Sequence, residues 1–255
     1  MTHRPLERHL LIDKGNTIAK VLLVDDGRFA SEIITLAELR EELLSPYCQV
    51  APGGRLYTVY SSVGEFQPEA VTFLKHCSDY FLEVDATTAS PLRNIRYQRV
   101  QLGADRLALA VGALEYTDGE EDVLAIDIGT AITYEWVSAQ GDYLGGNISP
   151  GPRTRIFSLH QETALLPMVD LCLEVPEIGS STEEAILAGV VWGIVYEIEG
   201  YIQYVHSKSP RLKVILTGGY APYFAGKVKN VTFVEPNLVL RGLDRLLEYN
   251  VQNSK

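Results

Sequence analysis

The chain has few cysteines for its length, and they are not paired in sequence. Its 255 residues include only Cys48, Cys77 and Cys172, which are widely spaced and form no CxxC pair. This spacing indicates neither a zinc-ribbon site nor a disulfide framework, and it favours a reduced, cytoplasmic protein. The five histidines show no HxxxH or HxH spacing, so the sequence does not predict a transition-metal site.

Long hydrophobic runs are also missing. The longest apolar stretches, around Val190 to Tyr196, are far shorter than the roughly 20 residues that a membrane-spanning helix needs. The first nine residues are polar, and no apolar core of signal-peptide type follows them. We therefore expect no membrane partner.

Basic residues are outnumbered by acidic ones. Lys and Arg total 22 against 33 Asp and Glu, which gives a formal net charge of −11. Such a surface repels nucleic-acid phosphates and acidic lipid, so we expect no nucleic-acid partner. A small anionic ligand remains possible, because one helix terminus or glycine loop can create a local anion site.

What the sequence does contain is a globular composition and an internal repeat. With 46% hydrophobic and 22% charged residues, the chain can form a folded core. One pattern occurs twice. It is an apolar run that ends in Asp, followed by a Gly/Thr turn, a second apolar run and a closing glycine. The two copies are Asp13-x-Gly15-Asn16-Thr17, closed by Gly27, and Asp127-x-Gly129-Thr130, closed by Gly141. In both, 14 residues separate the Asp from the closing glycine, and the copies start 114 residues apart.

Each copy is typical of a β-hairpin, and two copies half a chain apart predict a duplicated α/β fold. We place the domain boundary between residues 117 and 118, so that the two units are 1–117 and 118–255. Apolar periodicity predicts further strands over 55–63, 80–84 and 213–216, and helices over 37–44, 68–77, 105–116, 182–205 and 238–249.

The Asp-Gly-Thr turns suit the binding of a nucleotide with its metal ion. Backbone N–H groups and threonine hydroxyls can hold phosphate oxygens, while the carboxylates face a Mg²⁺ shell. The alternative is an ordinary hairpin turn stabilised by its own Asp side chain, which the repetition makes less attractive. Gly218-Gly219, after an apolar strand, allows close backbone approach to a flat ligand such as adenine, although it could also be a simple turn.

In this order, the three elements resemble the phosphate-1, phosphate-2 and adenosine motifs of the acetate and sugar kinase/Hsp70/actin superfamily. Three further motifs make the chain similar to the type III pantothenate kinases. They are Leu102-Gly103-Ala104-Asp105-Arg106, the segment Gly145-Gly146-Asn147-Ile148-Ser149-Pro150-Gly151, and Ser158-Leu159-His160-Gln161. The resemblance implies two actin-like (ribonuclease H-like) lobes with a nucleotide cleft between them. It also implies ATP-dependent phosphorylation of the primary hydroxyl of pantothenate to 4'-phosphopantothenate, the first step of coenzyme A biosynthesis.

The resemblance also implies roles for individual residues. Asp105 matches the catalytic proton acceptor, and Asp127 matches the ligand of a monovalent cation, K⁺ or NH₄⁺. The ATP-binding positions are Asp13, Lys14, Gly15, Asn16, Thr17, Ile18, Ala19, Lys20 and Thr130. The pantothenate-binding positions are Tyr97, Gly103, Ala104, Asp105, Arg106 and Thr182. Lys14 departs from the apolar residue of many relatives, and the sequence leaves open whether it faces solvent or a phosphate.

Elementary chemistry supports the role of Asp105 independently. A carboxylate at a predicted helix start can accept the proton of an attacking hydroxyl, as in other phosphoryl transfers. The alternative is an Asp that merely stabilises the helix N-terminus. For Arg106 the alternative is a surface ion pair, and for Thr182 it is a helix cap within the pattern Ser181-x-x-Glu184.

Two other functions stay open at this point: a kinase of another small hydroxylated substrate such as a sugar, and a non-catalytic actin-like ATP-binding or regulatory protein.

We also expect a homodimer. The segment 182–206 has more apolar residues than one core-facing stripe needs, and Trp192, Tyr196, Tyr201 and Tyr204 lie on further faces. A central helix packed inside the protein explains the pattern equally well, and the resemblance to a dimeric family favours the dimer.

Overall fold

Two β-sheets with flanking helices make up the fold. The computed structural model describes residues 7–64 and 67–254, so the first six residues of the polar N-terminal segment lie outside the described part. By its internal contacts the chain divides into unit 1, Met1–Glu115 with Asn237–Lys255, and unit 2, Tyr116–Pro236.

The sheet of unit 1 is built around the first hairpin. Its strands are β1 (Glu7–Lys14), β2 (Ala19–Asp25), β3 (Arg28–Phe29), β4 (Ile34–Leu36), β5 (Arg55–Ser62) and β6 (Tyr80–Glu83). The order is β3-β2-β1-β5-β6, and β4 also pairs with β2. The central strand β1 is antiparallel to β2 and parallel to β5, which is parallel to β6. The hairpin closes where Asp26 and Gly27 adopt positive φ.

The sheet of unit 2 follows the same path. Its strands are β7 (Asp122–Ile128), β8 (Ala131–Val137), β9 (Tyr143–Pro150), β10 (Leu212–Thr217) and β11 (Phe233–Val234). The order is β9-β8-β7-β10-β11, with β7 antiparallel to β8 and parallel to β10. Gly141 has φ +83°, like Gly27 at +76°. The predicted duplicated α/β fold of actin-like type is therefore confirmed.

Seven α-helices complete the described part of the chain. They are α1 (Glu41–Leu44), α2 (Pro68–Cys77), α3 (Ala104–Leu114), α4 (Pro152–Glu162), α5 (Thr182–Lys208), α6 (Ala221–Ala225) and α7 (Leu238–Asn253). The predicted helix over 37–44 begins only at Glu41, because Arg40 has an extended backbone, and a 3₁₀ turn, Ser45–Cys48, follows it.

The last helix belongs to unit 1, whereas the sequence placed residues 237–255 in the second unit. The backbones of α3 and α7 approach so closely that a Cβ atom on Gly242 would lie 1.8 Å from the carbonyl oxygen of Ala108. His9 on β1 also bonds Asp244 on α7, with 2.5 Å between Nδ1 and Oδ1. The chain leaves unit 1 between residues 115 and 116, whereas the predicted boundary lies between 117 and 118. It returns to unit 1 at residue 237.

Helix α5 is the core helix of unit 2. In the described part of the chain it is the one helix long and apolar enough to cross a membrane, judged by length and composition alone. Nine of its residues are buried, among them the fully buried Val191, Ile194 and Ile198, and they pack into the hydrophobic core of unit 2. Its apolar character is therefore explained largely by that core.

Candidate active site

The first Asp-Gly-Thr turn connects β1 to β2. Asp13 pairs with Lys20 and Lys14 pairs with Ala19 in the antiparallel register, and cross-strand partners share a face of the sheet. Between them, the N–H of Gly15 donates to the carbonyl of Ile18 over 3.0 Å. Of the eight residues assigned to this loop, Asn16, Thr17 and Ile18 are exposed, whereas Lys14 and Ala19 are buried. Lys14 therefore does not face solvent.

The end of β5 supports this turn, although none of its residues was predicted to belong to the site. The N–H of Val63 donates to the carbonyl of Lys14 over 3.1 Å. A Cβ atom on Gly64 would lie 3.0 Å from the carbonyl oxygen of Gly15. The available signal was the glycine directly after a predicted strand, which becomes informative only once β5 is known to pair with β1.

The start of α3 adjoins the same region of unit 1. Gly103 is the N-cap, and Ala104 and Asp105 are the first two helical residues. A Cβ atom on Gly103 would lie 2.7 Å from Oδ1 of Asp105 and 3.9 Å from the Cγ1 methyl of Val63. Val63 thus bonds the first turn and lies near Gly103, so it stands between the two sequence motifs.

The pKa of Asp105 is shifted in the direction expected of a general base. Burial is the largest influence and raises the pKa of its carboxyl group above the ordinary value. The N–H of Arg106, 2.7 Å from Oδ1, and the Arg106 guanidinium offset part of that rise. A carboxylate whose pKa moves toward neutrality accepts a proton more effectively than an ordinary surface Asp.

Tyr97 and Arg106 lie together. Arg106 is 4% exposed, so the surface ion pair considered for it is wrong. Its Nη1 donates to the hydroxyl of Tyr97 over 3.2 Å, and its Cζ lies 4.9 Å from the centre of the Tyr97 ring. Nε of Arg99 donates to the carbonyl of Ala86 over 2.9 Å, and Nη2 donates to that of Thr88. These bonds attach the Tyr97 segment to the loop that follows β6.

In unit 2, Asp127 lies at the end of β7 beside the glycine pair. β10 runs parallel to β7 and pairs Thr217 with Asp127, so the chain turns at Gly218 next to the carboxylate. Gly218 has φ +90°, and a Cβ atom there would lie 2.2 Å from Oδ1 of Asp127. Only glycine combines that backbone conformation with such close approach. The Gly218-Gly219 turn therefore packs directly on the Asp127 carboxylate.

The turn at Thr130 is tied to the segment Gly145–Gly151. The carbonyl of Thr130 accepts from the N–H of Gly151 over 2.9 Å and from the hydroxyl of Thr154 over 2.7 Å. A Cβ atom on Gly151 would lie 2.0 Å from the carbonyl oxygen of Gly129. The glycine that ends this motif is thus required by contact with the second Asp-Gly-Thr turn.

Thr182 is the first residue of α5, and its side chain is exposed. The cap of the helix is Ser181, whose hydroxyl accepts from the N–H of Glu184 over 3.2 Å. The Glu184 carboxylate accepts in turn from the N–H of Ser180 over 2.8 Å. The predicted cap is confirmed for Ser181, and Thr182 is not the capping residue. Thr182 belongs to unit 2, whereas the Gly103-to-Arg106 segment belongs to unit 1.

The chain is similar to known proteins over most of its length. Residues 9–204 match the family model described as type III pantothenate kinase. Two curated relatives carry the same description. The protein of Porphyromonas gingivalis strain W83 is 46% identical, with the alignment covering 95% of this chain and 99% of that protein. The protein of Bacteroides fragilis strain YCH46 is 40% identical, covering 95% and 98%.

Among solved structures, the chain is similar to one described as a conserved putative Baf family transcriptional activator from Campylobacter jejuni. That chain is 23% identical with a TM-score of 0.60, and the match covers 95% of this chain and 99% of that one. At this identity the likeness supports the fold alone. The family is decided by the family model and by the curated relatives, whose similarity extends over nearly the full length of the chain. The chain belongs to the type III pantothenate kinase family.

Proposed function

We propose that this protein transfers the γ-phosphoryl group of ATP to the primary hydroxyl of pantothenate, giving 4'-phosphopantothenate, the first step of coenzyme A biosynthesis. The observation that carries the proposal is Asp105. It is the carboxylate of the family-matching segment, it lies at the start of α3 close to Gly103, and its pKa is raised by burial. A binding or regulatory protein has no need of such a group.

The proposed step moves one proton and one phosphoryl group. Asp105 accepts the proton of the pantothenate hydroxyl, whose oxygen forms a bond to the γ-phosphorus as the bond from phosphorus to the ADP oxygen breaks. The N–H of Arg106 holds the Asp105 carboxylate in place over 2.7 Å. The protein's contribution is positioning together with a base of suitable pKa.

Tyr97, Gly103, Ala104, Arg106 and Thr182 are assigned to pantothenate. The buried Arg106 provides a fixed positive charge, and the hydrogen bond and ring contact from Tyr97 restrict its orientation. We assign its guanidinium to the substrate or the transferred phosphate. Since Ser181 caps α5, the Thr182 hydroxyl is left for a substrate hydrogen bond.

ATP is assigned to the first turn and to Thr130. Exposed Asn16 and Thr17 offer backbone N–H groups and a hydroxyl to phosphate oxygens, as in other phosphate-binding loops. Asp13 stands on the same sheet face as Lys20, and we assign it to the Mg²⁺ that accompanies ATP. Mg²⁺ would neutralise phosphate charge, and a carboxylate oxygen is the hard donor that it prefers.

The monovalent cation is assigned to Asp127. The half-buried carboxylate packs against the Gly218 backbone, where carboxylate and peptide oxygens form the hard donor set that K⁺ or NH₄⁺ takes. Such a cation would offset negative charge near the triphosphate. With a formal charge of −11 on the chain, some compensation is needed before an anionic nucleotide binds.

The cation assignment predicts that the phosphorylation rate rises when K⁺ or NH₄⁺ replaces Na⁺ at equal ionic strength and saturating Mg²⁺. Steady-state rates in the three chlorides measure this, with removal of Mg²⁺ by a chelator as the control that should abolish activity. Equal rates in all three salts would remove the monovalent-cation site from Asp127.

The function is tested by coupling ADP release to a spectrophotometric assay and supplying pantothenate or a panel of sugars. Pantothenate-dependent ADP release, with phosphate recovered on the primary hydroxyl by mass spectrometry, is the expected result. Turnover only with a sugar would support the sugar-kinase alternative. ATP binding without turnover on any hydroxyl would support a regulatory protein.

The homodimer and a cytoplasmic location complete the proposal. Two of the four aromatic residues of α5 are used inside unit 2, because Trp192 donates to the carbonyl of Pro176 over 3.1 Å and the Tyr201 ring lies 4.4 Å from the Tyr134 ring. Tyr196 and Tyr204 remain 60% and 59% exposed. The dimer surface is therefore assigned to a smaller part of α5 than its apolar pattern suggested.

Tyr196 lies on the exposed face of α5. Its neighbour Glu197 accepts hydrogen bonds of 2.5 Å from Ser149 on β9 and from Arg155 on α4. These bonds hold β9 and α4 to α5 beside Tyr196. We assign this surface to a second copy of the chain, as the resemblance to a dimeric family implies.

Tyr196→Asp should convert the dimer to a monomer and abolish most activity, because a charge in an apolar interface stays unpaired. Sedimentation measures the oligomeric state, and the rate per chain measures the activity. For the wild type, activity per chain should fall on dilution below the dimer dissociation constant. Leu43→Glu, an equally drastic change at an exposed residue of unit 1, is the control that should leave the dimer intact. A fully active wild-type monomer of 28.3 kDa would overturn the dimer assignment.

A further inference from the structure

The Tyr97 segment, residues 97–102, joins the two parts of unit 1 that are assigned to pantothenate. Tyr97 stands at its start, and Leu102 leads directly into Gly103, the N-cap of α3. The hydrogen bond from Arg106 to the Tyr97 hydroxyl closes the segment into a loop. The positions of the substrate-binding groups therefore depend on the path that this segment takes.

Little of the Tyr97 segment is held in place by burial. Val100 is 83% exposed, and the side chains of Gln98 and Gln101 are exposed as well. Leu102, at the end of the segment, is its one buried residue. Ordering a stretch of backbone costs conformational entropy, which buried apolar side chains usually offset. The part of the segment before Leu102 is therefore held chiefly by polar contacts.

Arg99 supplies two such contacts. Its Nε donates to the carbonyl of Ala86 over 2.9 Å, and its Nη2 donates to that of Thr88. Because a guanidinium donates in a fixed planar geometry, two bonds to one loop fix both the place and the direction of the side chain. Burial lowers the pKa of the Arg99 guanidinium, and the nearby charge of Asp85 opposes that shift. The group stays charged, and charge-assisted hydrogen bonds are the strong ones.

The loop that accepts these bonds is itself fixed. Oδ1 of Asp85 accepts from the N–H of Thr87 over 2.7 Å and from the N–H of Thr88 over 3.0 Å. These bonds hold the pKa of the Asp85 carboxyl below its ordinary value. Directly before the loop, the N–H of Val84 donates to the carbonyl of Tyr60 on β5 over 2.9 Å. The two carbonyls therefore belong to a loop that is anchored to the sheet of unit 1.

We propose that Arg99 is a positioning residue of the pantothenate site. By binding the loop after β6 it holds Tyr97, and through Tyr97 the guanidinium of Arg106, in the geometry that receives the substrate. The inference rests on the proposed function for its ligand and adds a residue that lies outside the site motifs of the sequence. Asp105 depends less on Arg99, because the N–H of Arg106 that bonds its carboxylate belongs to α3 itself. Arg99 therefore acts on the affinity for pantothenate more than on turnover.

The kinetic test is Arg99→Met, which keeps most of the length of the side chain and removes its donors. We expect KM for pantothenate to rise by roughly tenfold, KM for ATP to stay unchanged, and kcat to remain within about threefold of the wild type. Arg99→Lys keeps the charge and can reach one carbonyl, so its KM for pantothenate should lie between the two. Arg96→Met, a change at an exposed arginine of the preceding chain, is the matched control and should leave these constants unchanged.

Hydrogen–deuterium exchange measures the attachment itself. Peptides that cover residues 97–103 should exchange faster in Arg99→Met than in the wild type, because the segment is released from the loop after β6. Unchanged exchange would overturn the proposal, and so would faster exchange with an unchanged KM for pantothenate. Equal increases in both KM values would overturn it in favour of a general loss of structure.

Arg99→Lys carries the same comparison, with smaller expected changes, if Arg99→Met does not fold. The exchange measurement does not depend on activity. It therefore decides whether Arg99 holds the segment even if the wild type does not phosphorylate pantothenate, so failure of the proposed function and failure of this inference give different results.

Discussion

Asp105→Asn is expected to lower turnover by roughly 10²- to 10⁴-fold, the usual contribution of a positioned general base. The amide keeps the shape of the side chain and can still accept the N–H of Arg106 through its oxygen, so the start of α3 should persist. What is lost is the group that takes the hydroxyl proton. Steady-state kinetics with pantothenate and ATP, together with ATP binding by calorimetry, separate lost chemistry from lost binding.

The pH profile provides a second readout for Asp105. The base acts when deprotonated, so the wild-type rate should fall as pH drops through a pKa that lies above the ordinary carboxyl value. Because the folded state holds this proton more tightly than the unfolded chain does, the ionised carboxylate costs stability at neutral pH. Asp105→Asn should therefore melt no lower than the wild type at pH 7.

Asp26→Asn is the control for this change. Asp26 is an exposed residue of unit 1 with φ +47°, a conformation that asparagine tolerates, and its substitution should leave turnover unchanged. An Asp105→Asn protein with more than about a tenth of the wild-type rate would refute the role of Asp105.

Gly242→Ala is expected to give the largest loss of stability. The new methyl group would lie 1.8 Å from the Ala108 carbonyl oxygen and 2.8 Å from the Gly112 nitrogen, both of which are backbone atoms of α3. The two helices would have to move apart, and α7 would lose its packing. We expect a cost of about 3 kcal/mol or more, at the upper end for overpacking. That corresponds to a melting temperature lower by roughly 6–12 °C for a chain of this size.

Gly226→Ala is the matched control, because Gly226 is an exposed residue with a helical backbone at the end of α6 and nothing approaches the position of a new Cβ atom within 4 Å. Alanine favours the helix over glycine by about 1 kcal/mol, so this variant should melt at the same temperature or higher. Thermal denaturation followed by circular dichroism measures both proteins. An unchanged melting temperature for Gly242→Ala would show that α3 and α7 do not meet at these glycines.

The sequence by itself predicted those features that depend on near neighbours in the chain. Both hairpins follow from apolar runs joined by Asp-Gly-Thr turns and closed by glycines with positive φ, and a turn of that kind involves only adjacent residues. The Ser181 cap of α5 and the helix over 68–77 follow from equally local signals. The repetition of the hairpin was enough to predict a duplicated fold.

Only the tertiary structure decided which distant segments meet. Val63 joins the first turn to Gly103 because β5 pairs with β1, and no residue near Val63 in sequence carries that information. Helix α7 packs in unit 1 because Gly242 and Gly112 allow two backbones to touch, an interaction across 130 residues. The same holds for the burial of Lys14, which is a property of all the surrounding elements together.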